Sequence, residues 1–196
     1  MRWPNGSRAP SATRWVHAAE RLRAAGLPCP VVSAGSTPTA VHAADLAGVT
    51  EMRPGVYVFN DLTQLALGSC RRADLALSVL ASVVGHNRHA GHLLIDAGVL
   101  ALSKDAGLAE RRPEAGYGEV CDARTLAPYP GLFVTDTHQE HGFVPLPDLD
   151  FFERLPVGAR VRVLPGHACM TAAAYDRYQV VAGGEVVDEW ARINGW

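Results

Sequence analysis

From Val56 onward, the sequence consists mainly of short apolar segments that are separated by glycine, proline and aspartate turns. Such segments, rich in β-branched and aromatic residues, are typical of β-strands. Val161 and Val163 alternate with arginines, which indicates a strand with one wet face. Gly183–Gly184 lies between two apolar segments and predicts a hairpin turn. The predicted strands are Val56–Phe59, Leu75–Val84, His92–Leu102, Leu132–Thr135, Arg160–Leu164, Gln179–Val181 and Glu185–Trp190. We therefore expect a small antiparallel barrel or sandwich.

The first fifty residues follow a different pattern. Apolar residues recur at helical spacing over Thr13–Ala25, and Gly26 ends the predicted helix. The short apolar segment Cys29–Ser33 predicts a buried strand, which leads into the small-residue loop Ala34–Thr39. A helix, a strand and such a loop form one α/β unit of the kind that repeats in a (β/α)8 barrel. One unit cannot close a barrel, which needs eight strands.

Charge and composition exclude several classes of partner. The net charge of -2 gives no reason to expect nucleic acid or an anionic membrane, and no apolar stretch is long enough to cross a bilayer. Residues 1–30 lack the apolar region of a signal peptide, so a cytoplasmic protein is expected. The four cysteines are widely spaced and fit neither a disulfide framework nor a CxxC zinc pattern. Lys104 is the only lysine.

Two loops carry residue types that suit a phosphate group. In Gly35–Thr37, glycine lets the backbone approach a ligand, while N–H groups and two hydroxyls can bind phosphate oxygens. Glu51–Tyr57 contains a Pro–Gly pair, which alone usually means a turn. Each loop also fits an ordinary connection, but both can lie on one barrel rim, where phosphate is commonly bound. The candidate cofactor-binding residues are Gly35, Ser36, Thr37, Arg53, Gly55 and Tyr57.

A histidine and a cysteine lie two positions apart near the C terminus. In an extended segment, residues i and i+2 point the same way, so His167 and Cys169 can present nitrogen and sulfur to one metal ion. Zinc accepts both ligand types, and two protein ligands leave positions open for water or substrate. The alternative is a core cysteine beside a surface histidine.

Short motifs follow one another along the chain at Val31–Thr39, Glu51–Tyr57, Ile95–Gly98, Ala101–Asp105, Gln139–Gly142, Pro165–Thr171 and Trp190–Trp196. Taken in this order, they resemble the motifs of the D-serine dehydratase-like and D-threonine aldolase family. This family belongs to the alanine-racemase-type (fold III) enzymes that use pyridoxal phosphate (PLP). The resemblance runs from about Leu22 to the last residue and corresponds to the C-terminal part of a longer family member.

The resemblance implies a PLP-binding (β/α)8 barrel that is followed by a β-domain. Residues 1–54 would be the remnant of that barrel, its last α/β unit, and residues 55–196 would be the C-terminal β-domain. The expected fold class is therefore mainly β (α+β). Gly35, Ser36 and Thr37 fall where the family binds the cofactor phosphate.

The resemblance also implies the chemistry of the site. His167 and Cys169 match the zinc pair of the D-serine dehydratases, whereas D-threonine aldolases tend to have aspartate at the cysteine position. The Schiff-base lysine of the family has no counterpart here, because Lys104 matches a β-domain position. We thus expect no catalytic residue in this chain, and no activity from the chain alone.

The implied activity is loss of water from a β-hydroxy D-amino acid, giving a keto acid and ammonia, with PLP and zinc as cofactors. The alternatives are a D-threonine aldolase-like carbon–carbon lyase and a non-catalytic metal-binding or assembly domain. The resemblance implies a homodimer for full-length relatives. An unpaired barrel strand exposes apolar edges, so the isolated chain is expected to be poorly soluble or oligomeric.

Overall fold

The computed structural model describes residues 12–105, 107 and 112–193, and these divide into two units. The first unit contains the described residues up to Asn60 together with Gln64–Asp74. The second contains Asp61–Thr63 and the described residues from Leu75 onward. The helices of this part of the chain are α1 (Ala12–Ala24), α2 (Thr37–His42), α3 (Leu62–Ala66), α4 (Val99–Leu102), α5 (Phe151–Arg154) and α6 (Ala168–Ala173).

Strands outnumber helices, and their lengths differ between the units. The strands are β1 (Ser33–Gly35), β2 (Glu51–Arg53), β3 (Val79–Asn87), β4 (His92–Ile95), β5 (Gly118–Asp122), β6 (Pro128–Val134), β7 (Asp136–Thr137), β8 (Gly142–Pro145), β9 (Arg160–Pro165), β10 (Arg177–Ala182) and β11 (Glu185–Ala191). Short 3₁₀ turns occupy Val56–Val58, Arg72–Asp74 and Pro113–Ala115. None of the helices in the described residues is both long and apolar enough to cross a lipid bilayer.

In the first unit, α1 confirms the predicted helix and β1 pairs in parallel with β2. The strand predicted at Cys29–Ser33 is wrong in position, because β1 begins only at Ser33. Pro28 and Pro30 have no N–H group for a ladder, so regular pairing starts beyond them. The backbone N–H of Val32 donates to Thr50 Oγ1 at 2.9 Å, just before the parallel ladder begins.

The strand predicted at Val56–Phe59 is also wrong, because residues Val56–Val58 form a 3₁₀ turn. The backbone bonds there are local: Phe59 N donates to Val56 O at 3.1 Å, and Asn60 N donates to the same oxygen at 2.7 Å. A short, wholly apolar run has no periodicity that separates a strand from a turn of helix.

The second unit is built on a seven-stranded antiparallel sheet with the order β6-β5-β9-β3-β4-β8-β7. The backbone N–H of Thr135, next to the end of β6, donates to Phe143 O in β8 at 3.0 Å. The sheet therefore curves back towards itself and is nearly closed, like a barrel. The expected mainly β fold class, with an antiparallel barrel or sandwich, is confirmed.

The core of this unit follows the alternation of the strands. In β9, Val161 and Val163 are buried and lie opposite Ala81 and Val79 of β3. Val163 also faces Val120 of the neighbouring strand β5. The predicted one-sided strand is thus confirmed, since Arg160 is exposed. The fully buried large side chains of the core include Leu93, Ile95, Leu102, Leu132, Val134 and Val144.

Two predicted strands of this unit are only partly correct. The strand predicted at Leu75–Val84 begins at Val79. The segment His92–Leu102 contains β4, which ends at Ile95, and then α4 from Val99. Asp96, just after β4, still bonds to β3: its backbone N–H donates to Ser82 O at 3.1 Å, and its side chain accepts the backbone N–H of Ser82 at 2.7 Å.

β10 and β11 form a separate two-stranded antiparallel sheet. Gly183 and Gly184 connect them with φ angles of 60° and 87°, which confirms the predicted hairpin turn. Every residue of β11 is exposed.

Candidate functional site

The candidate metal ligands lie where β9 passes into α6. His167 has extended backbone angles (φ −137°, ψ 104°) and immediately precedes the helix, while Cys169 lies in its first turn. The spacing argument required an extended segment through both residues, and this premise is wrong for Cys169. The convergence of the two side chains on one metal ion therefore stays a prediction.

The side chain of His167 is oriented by a carboxylate. Its Nδ1 lies 2.6 Å from Asp105 Oδ2, and the imidazole is 33% exposed. Metal-binding histidines commonly use one ring nitrogen in this way and present the other to the metal. The contact with Asp105 leaves Nε2 of His167 available as a ligand.

The thiol of Cys169 has two negative charges in its surroundings. Although the residue as a whole is exposed, partial desolvation raises the pKa of the thiol, and the carboxylates of Asp61 and Asp105 raise this pKa further. The neutral thiol is therefore favoured unless a cation offsets the negative field. A divalent cation beside Cys169 would be attracted by the same carboxylates and would stabilise the thiolate.

The backbone on both sides of His167 is fixed by residues from a distant segment. Thr63 Oγ1 donates to Gly166 O at 2.7 Å, and the N–H of Ala168 donates to Asp61 Oδ2 at 2.9 Å. Sequence reasoning missed Asp61 and Thr63, because no motif or spacing connects them to a turn about a hundred residues away.

The donor set fits a metal ion with open coordination positions. Among the residues that the structure describes, no group of three or more histidine, cysteine, aspartate or glutamate side chains is arranged to hold a metal. An imidazole with one oriented nitrogen and a thiol are nevertheless the ligand types that zinc accepts. A metal held by His167 and Cys169 would keep positions for water or substrate.

The two predicted phosphate loops lie side by side in the first unit. The parallel ladder places Gly35 opposite Arg53, and Arg53 Nε donates to Ser33 Oγ at 2.6 Å. The backbone N–H of Tyr57 donates to Thr37 Oγ1 at 3.2 Å. The structure thus brings the two loops together, while their place on a barrel rim stays a prediction.

Most polar groups of these loops already have partners. Ser36 precedes α2 with φ 79°, and its hydroxyl accepts the N–H of Thr39 at 3.3 Å. Thr37 is buried, whereas the guanidinium of Arg53 is 62% exposed and lies 3.0 Å from Glu51. Beside Gly55, the space that a Cβ would occupy is open. The assignment of these loops to a cofactor phosphate, with Arg53 as the cationic group, stays a prediction.

Lys104, the only lysine, lies in the second unit. Its Nζ donates to Thr137 O at 3.2 Å. This contact holds the amine at the backbone of β7, next to the Asp105 that orients His167.

Comparisons with known proteins agree with the fold of the second unit and identify the family. The family model described as "Putative serine dehydratase domain" matches residues 76–181. D-threo-3-hydroxyaspartate dehydratase of Delftia sp. (strain HT23) is 50% identical over 185 residues, which are 92% of this chain and 48% of that enzyme. The solved structure of the Delftia enzyme superposes with a TM-score of 0.83 at 48% identity, covering 94% of this chain and 50% of that one.

A more distant relative points to the same group of enzymes. D-serine dehydratase of Dictyostelium discoideum is 33% identical over 173 residues, which are 83% of this chain and 42% of that enzyme. The chain therefore spans about half the length of the curated dehydratases that it matches.

Proposed function

Because the chain belongs to the serine dehydratase domain family, we propose that it supplies the metal-binding β-domain of a PLP- and zinc-dependent lyase. The lyase would remove water from a β-hydroxy D-amino acid and release a keto acid and ammonia. The observation that carries the proposal is the contact of 2.6 Å between His167 Nδ1 and Asp105. His167 lies two residues before Cys169.

Two solved structures of D-threo-3-hydroxyaspartate dehydratase support the choice of ligands. One is a histidine-to-alanine mutant, and another is a cysteine-to-alanine mutant in the metal-free form. The two mutated positions in that enzyme are two residues apart, as are His167 and Cys169 here.

In this proposal, His167 Nε2 and Cys169 Sγ hold the metal, and Asp105 keeps the imidazole in the tautomer that leaves Nε2 unprotonated. When bound, zinc supplies Lewis acidity to the β-hydroxyl that leaves the substrate. The carboxylates of Asp61 and Asp105 add negative charge, which favours a divalent cation over a proton at Cys169.

The first unit would hold the cofactor phosphate. Gly35, Ser36 and Thr37 supply backbone and hydroxyl groups, and Arg53 supplies a positive charge beside Gly55. When bound, PLP supplies an electron sink for the bond that breaks at Cα. Lys104, which donates to the carbonyl of Thr137 in the second unit, matches a β-domain position of the family and not the catalytic one. We therefore assign the Schiff base to no residue of this chain and expect no turnover from the chain alone.

Elimination of water is favoured over aldol cleavage because Cys169 stands where aldolases tend to have aspartate. A non-catalytic assembly domain is the remaining alternative. Assays of ammonia and aldehyde release from β-hydroxy D-amino acids, with PLP and zinc, separate the reactions; release of either by this chain alone would contradict the expected inactivity.

Zinc binding tests the metal site directly. We expect wild-type chain to bind zinc, and His167→Ala and Cys169→Ala to bind it at least about tenfold more weakly. The matched controls are His89→Ala, at an exposed hairpin turn, and Cys29→Ala in the first unit, which should bind as wild type. Isothermal titration calorimetry measures all five. Equal affinities for ligand and control variants would reject the site.

A further inference from the structure

We infer that Asp61 and Thr63 are positioning residues that set the geometry in which His167 and Cys169 meet a metal ion. The inference rests on the proposed metal site and concerns how this chain builds it. Both residues lie in a three-residue stretch that belongs to the second unit, although the residues on either side of it belong to the first.

The hydrogen bonds of this stretch hold the peptide groups on both sides of His167. Thr63 Oγ1 donates to the carbonyl of Gly166 at 2.7 Å, which fixes the peptide group before His167. Asp61 Oδ2 accepts the N–H of Ala168 at 2.9 Å, which fixes the peptide group after His167. Two adjacent peptide groups that are both held leave the backbone of His167 little freedom to rotate.

The burial of Asp61 makes its bond strong. The residue is only 2% exposed, so its carboxylate is largely removed from water. A buried carboxylate is costly unless it is hydrogen-bonded, and a bond from N–H to a charged oxygen is stronger than a neutral one. Breaking the bond to Ala168 would leave part of that cost uncompensated.

Other contacts fix the carbonyl and one ring nitrogen of His167. Its carbonyl accepts the hydroxyl of Thr171 at 3.1 Å, and its Nδ1 lies against Asp105. With both flanking peptides held as well, the imidazole presents its second nitrogen, Nε2, as the proposed ligand.

Cys169 depends on the same stretch. Ala168, whose N–H is held by Asp61, is the first residue of α6, and Cys169 is the second. A shift of the Ala168 peptide would therefore move the start of the helix and the sulfur with it. Zinc binds nitrogen at about 2.0–2.1 Å and sulfur at about 2.3 Å, so small shifts of either ligand weaken binding.

The experiment compares matched variants of the full chain. Thr63→Val removes the hydroxyl and keeps the branched form, whereas Thr63→Ser keeps the hydroxyl. We expect Thr63→Val to bind zinc about tenfold more weakly than wild type, and Thr63→Ser to bind within about twofold. Competition with a chromophoric chelator measures the zinc affinity.

Two variants separate the effect of the negative charge of Asp61 from the effect of its hydrogen bond to Ala168. Asp61→Asn keeps an oxygen that accepts from Ala168 but removes the charge, and Asp61→Ala removes both. We expect a greater loss of zinc affinity in Asp61→Ala than in Asp61→Asn. If Asp61→Ala does not fold, the comparison of Thr63→Val with Thr63→Ser decides the question.

The absorption spectrum of bound cobalt(II) distinguishes a change in ligand geometry from a general loss of stability. In folded protein, the thiolate-to-cobalt band and the d–d bands report the ligands and their arrangement. We expect altered bands in Thr63→Val and wild-type bands in Thr63→Ser. Wild-type zinc affinity and wild-type bands in Thr63→Val would overturn the positioning role alone. No zinc binding by wild-type chain would overturn the metal site and the positioning role together.

Discussion

The two units of the chain bury very different side chains. In the second unit, residues such as Leu93, Ile95 and Leu132 are inaccessible to water within a seven-stranded sheet. In the described part of the first unit, the buried apolar residues are small, and Trp15 and Leu22 are 50% and 44% exposed. A comparable supply of apolar residues thus makes a core only where enough strands pair to enclose it.

This exposure is what an α/β unit shows when it has no neighbouring barrel strands. The assignment of residues 1–54 to a barrel, and the expected poor solubility or self-association, stay predictions. The difference between the units nevertheless has direct consequences for stability, and paired substitutions can test it.

The largest expected difference concerns leucines. Leu132→Ala should lower the free energy of unfolding by about 2–5 kcal/mol, because it leaves a cavity in an enclosed core. Leu22→Ala should lower it by less than about 1 kcal/mol, since much of that side chain already meets water. Urea unfolding followed by circular dichroism measures both. Similar costs for the two leucines would mean that the first unit has a core of its own.

A pair of glycines comes next. Gly26 and Gly116 both have positive φ, 77° and 49°, but a Cβ meets nothing within 4 Å at Gly26 and would overlap Val134 O at Gly116. Gly26→Ala should cost about 1 kcal/mol from backbone strain alone. Gly116→Ala should cost about 1–3 kcal/mol more, because a close-packed strand must move. Thermal unfolding of the two variants measures the loss of stability in each. An equal loss in both would mean that the second unit adjusts to the added Cβ as easily as the first.

The phosphate loops test whether the weakly packed first unit still holds a ligand. Arg53→Ala should weaken binding of pyridoxal phosphate about tenfold, because a charged hydrogen-bond donor is lost. Arg71→Ala is the control, since Arg71 lies in the same unit and pairs with Asp74 at 3.0 Å. Absorbance titration measures the affinities, and inorganic phosphate should compete. Equal binding by both variants would remove Arg53 from the site.

The smallest effect is expected at Asp122, the last residue of β5 in the second unit. Hydrogen bonds from Thr125, and then from Arg124, lower the pKa of this carboxyl to about 2. Its stabilising contribution is therefore present above the unfolded pKa of about 3.9 and is lost as the pH falls towards 2. Asp122→Ala should cost less than about 1 kcal/mol at pH 7 and almost nothing at pH 2. If the loss of unfolding free energy in Asp122→Ala were the same at both pH values, the effect would come from packing and not from the charge of Asp122.

Sequence reasoning succeeded where the pattern was local. The alternation in β9, the helical spacing in α1 and the glycine pair between β10 and β11 each specify a structure within a few residues. The sequence pattern does not predict β5, because this strand begins with Gly118 and Glu119, which are depleted in strands, although both are buried in the sheet. The four consecutive apolar residues Val99–Leu102 show neither periodicity, so the sequence predicts a strand where the structure has α4.

The candidate site also has some features that the sequence shows locally and others that only the fold creates. The spacing of His167 and Cys169 is visible in the sequence, and so are the two loops that the β1–β2 ladder brings together. The contacts of Asp61, Thr63 and Asp105 span 62 to 107 residues, and only the folded sheet brings them to the turn.

The near-closure of the large sheet also governs which surfaces can recruit further strands. β6, at one end, contains Pro128 and Pro130, which have no N–H to offer, and β7, at the other end, is only two residues long. Prolines and very short edge strands protect a sheet against strand-by-strand growth. The two edges of this sheet therefore resist the addition of further strands, which protects the second unit against extended aggregates. The exposed hairpin β10–β11 is not part of this sheet and is not protected in this way.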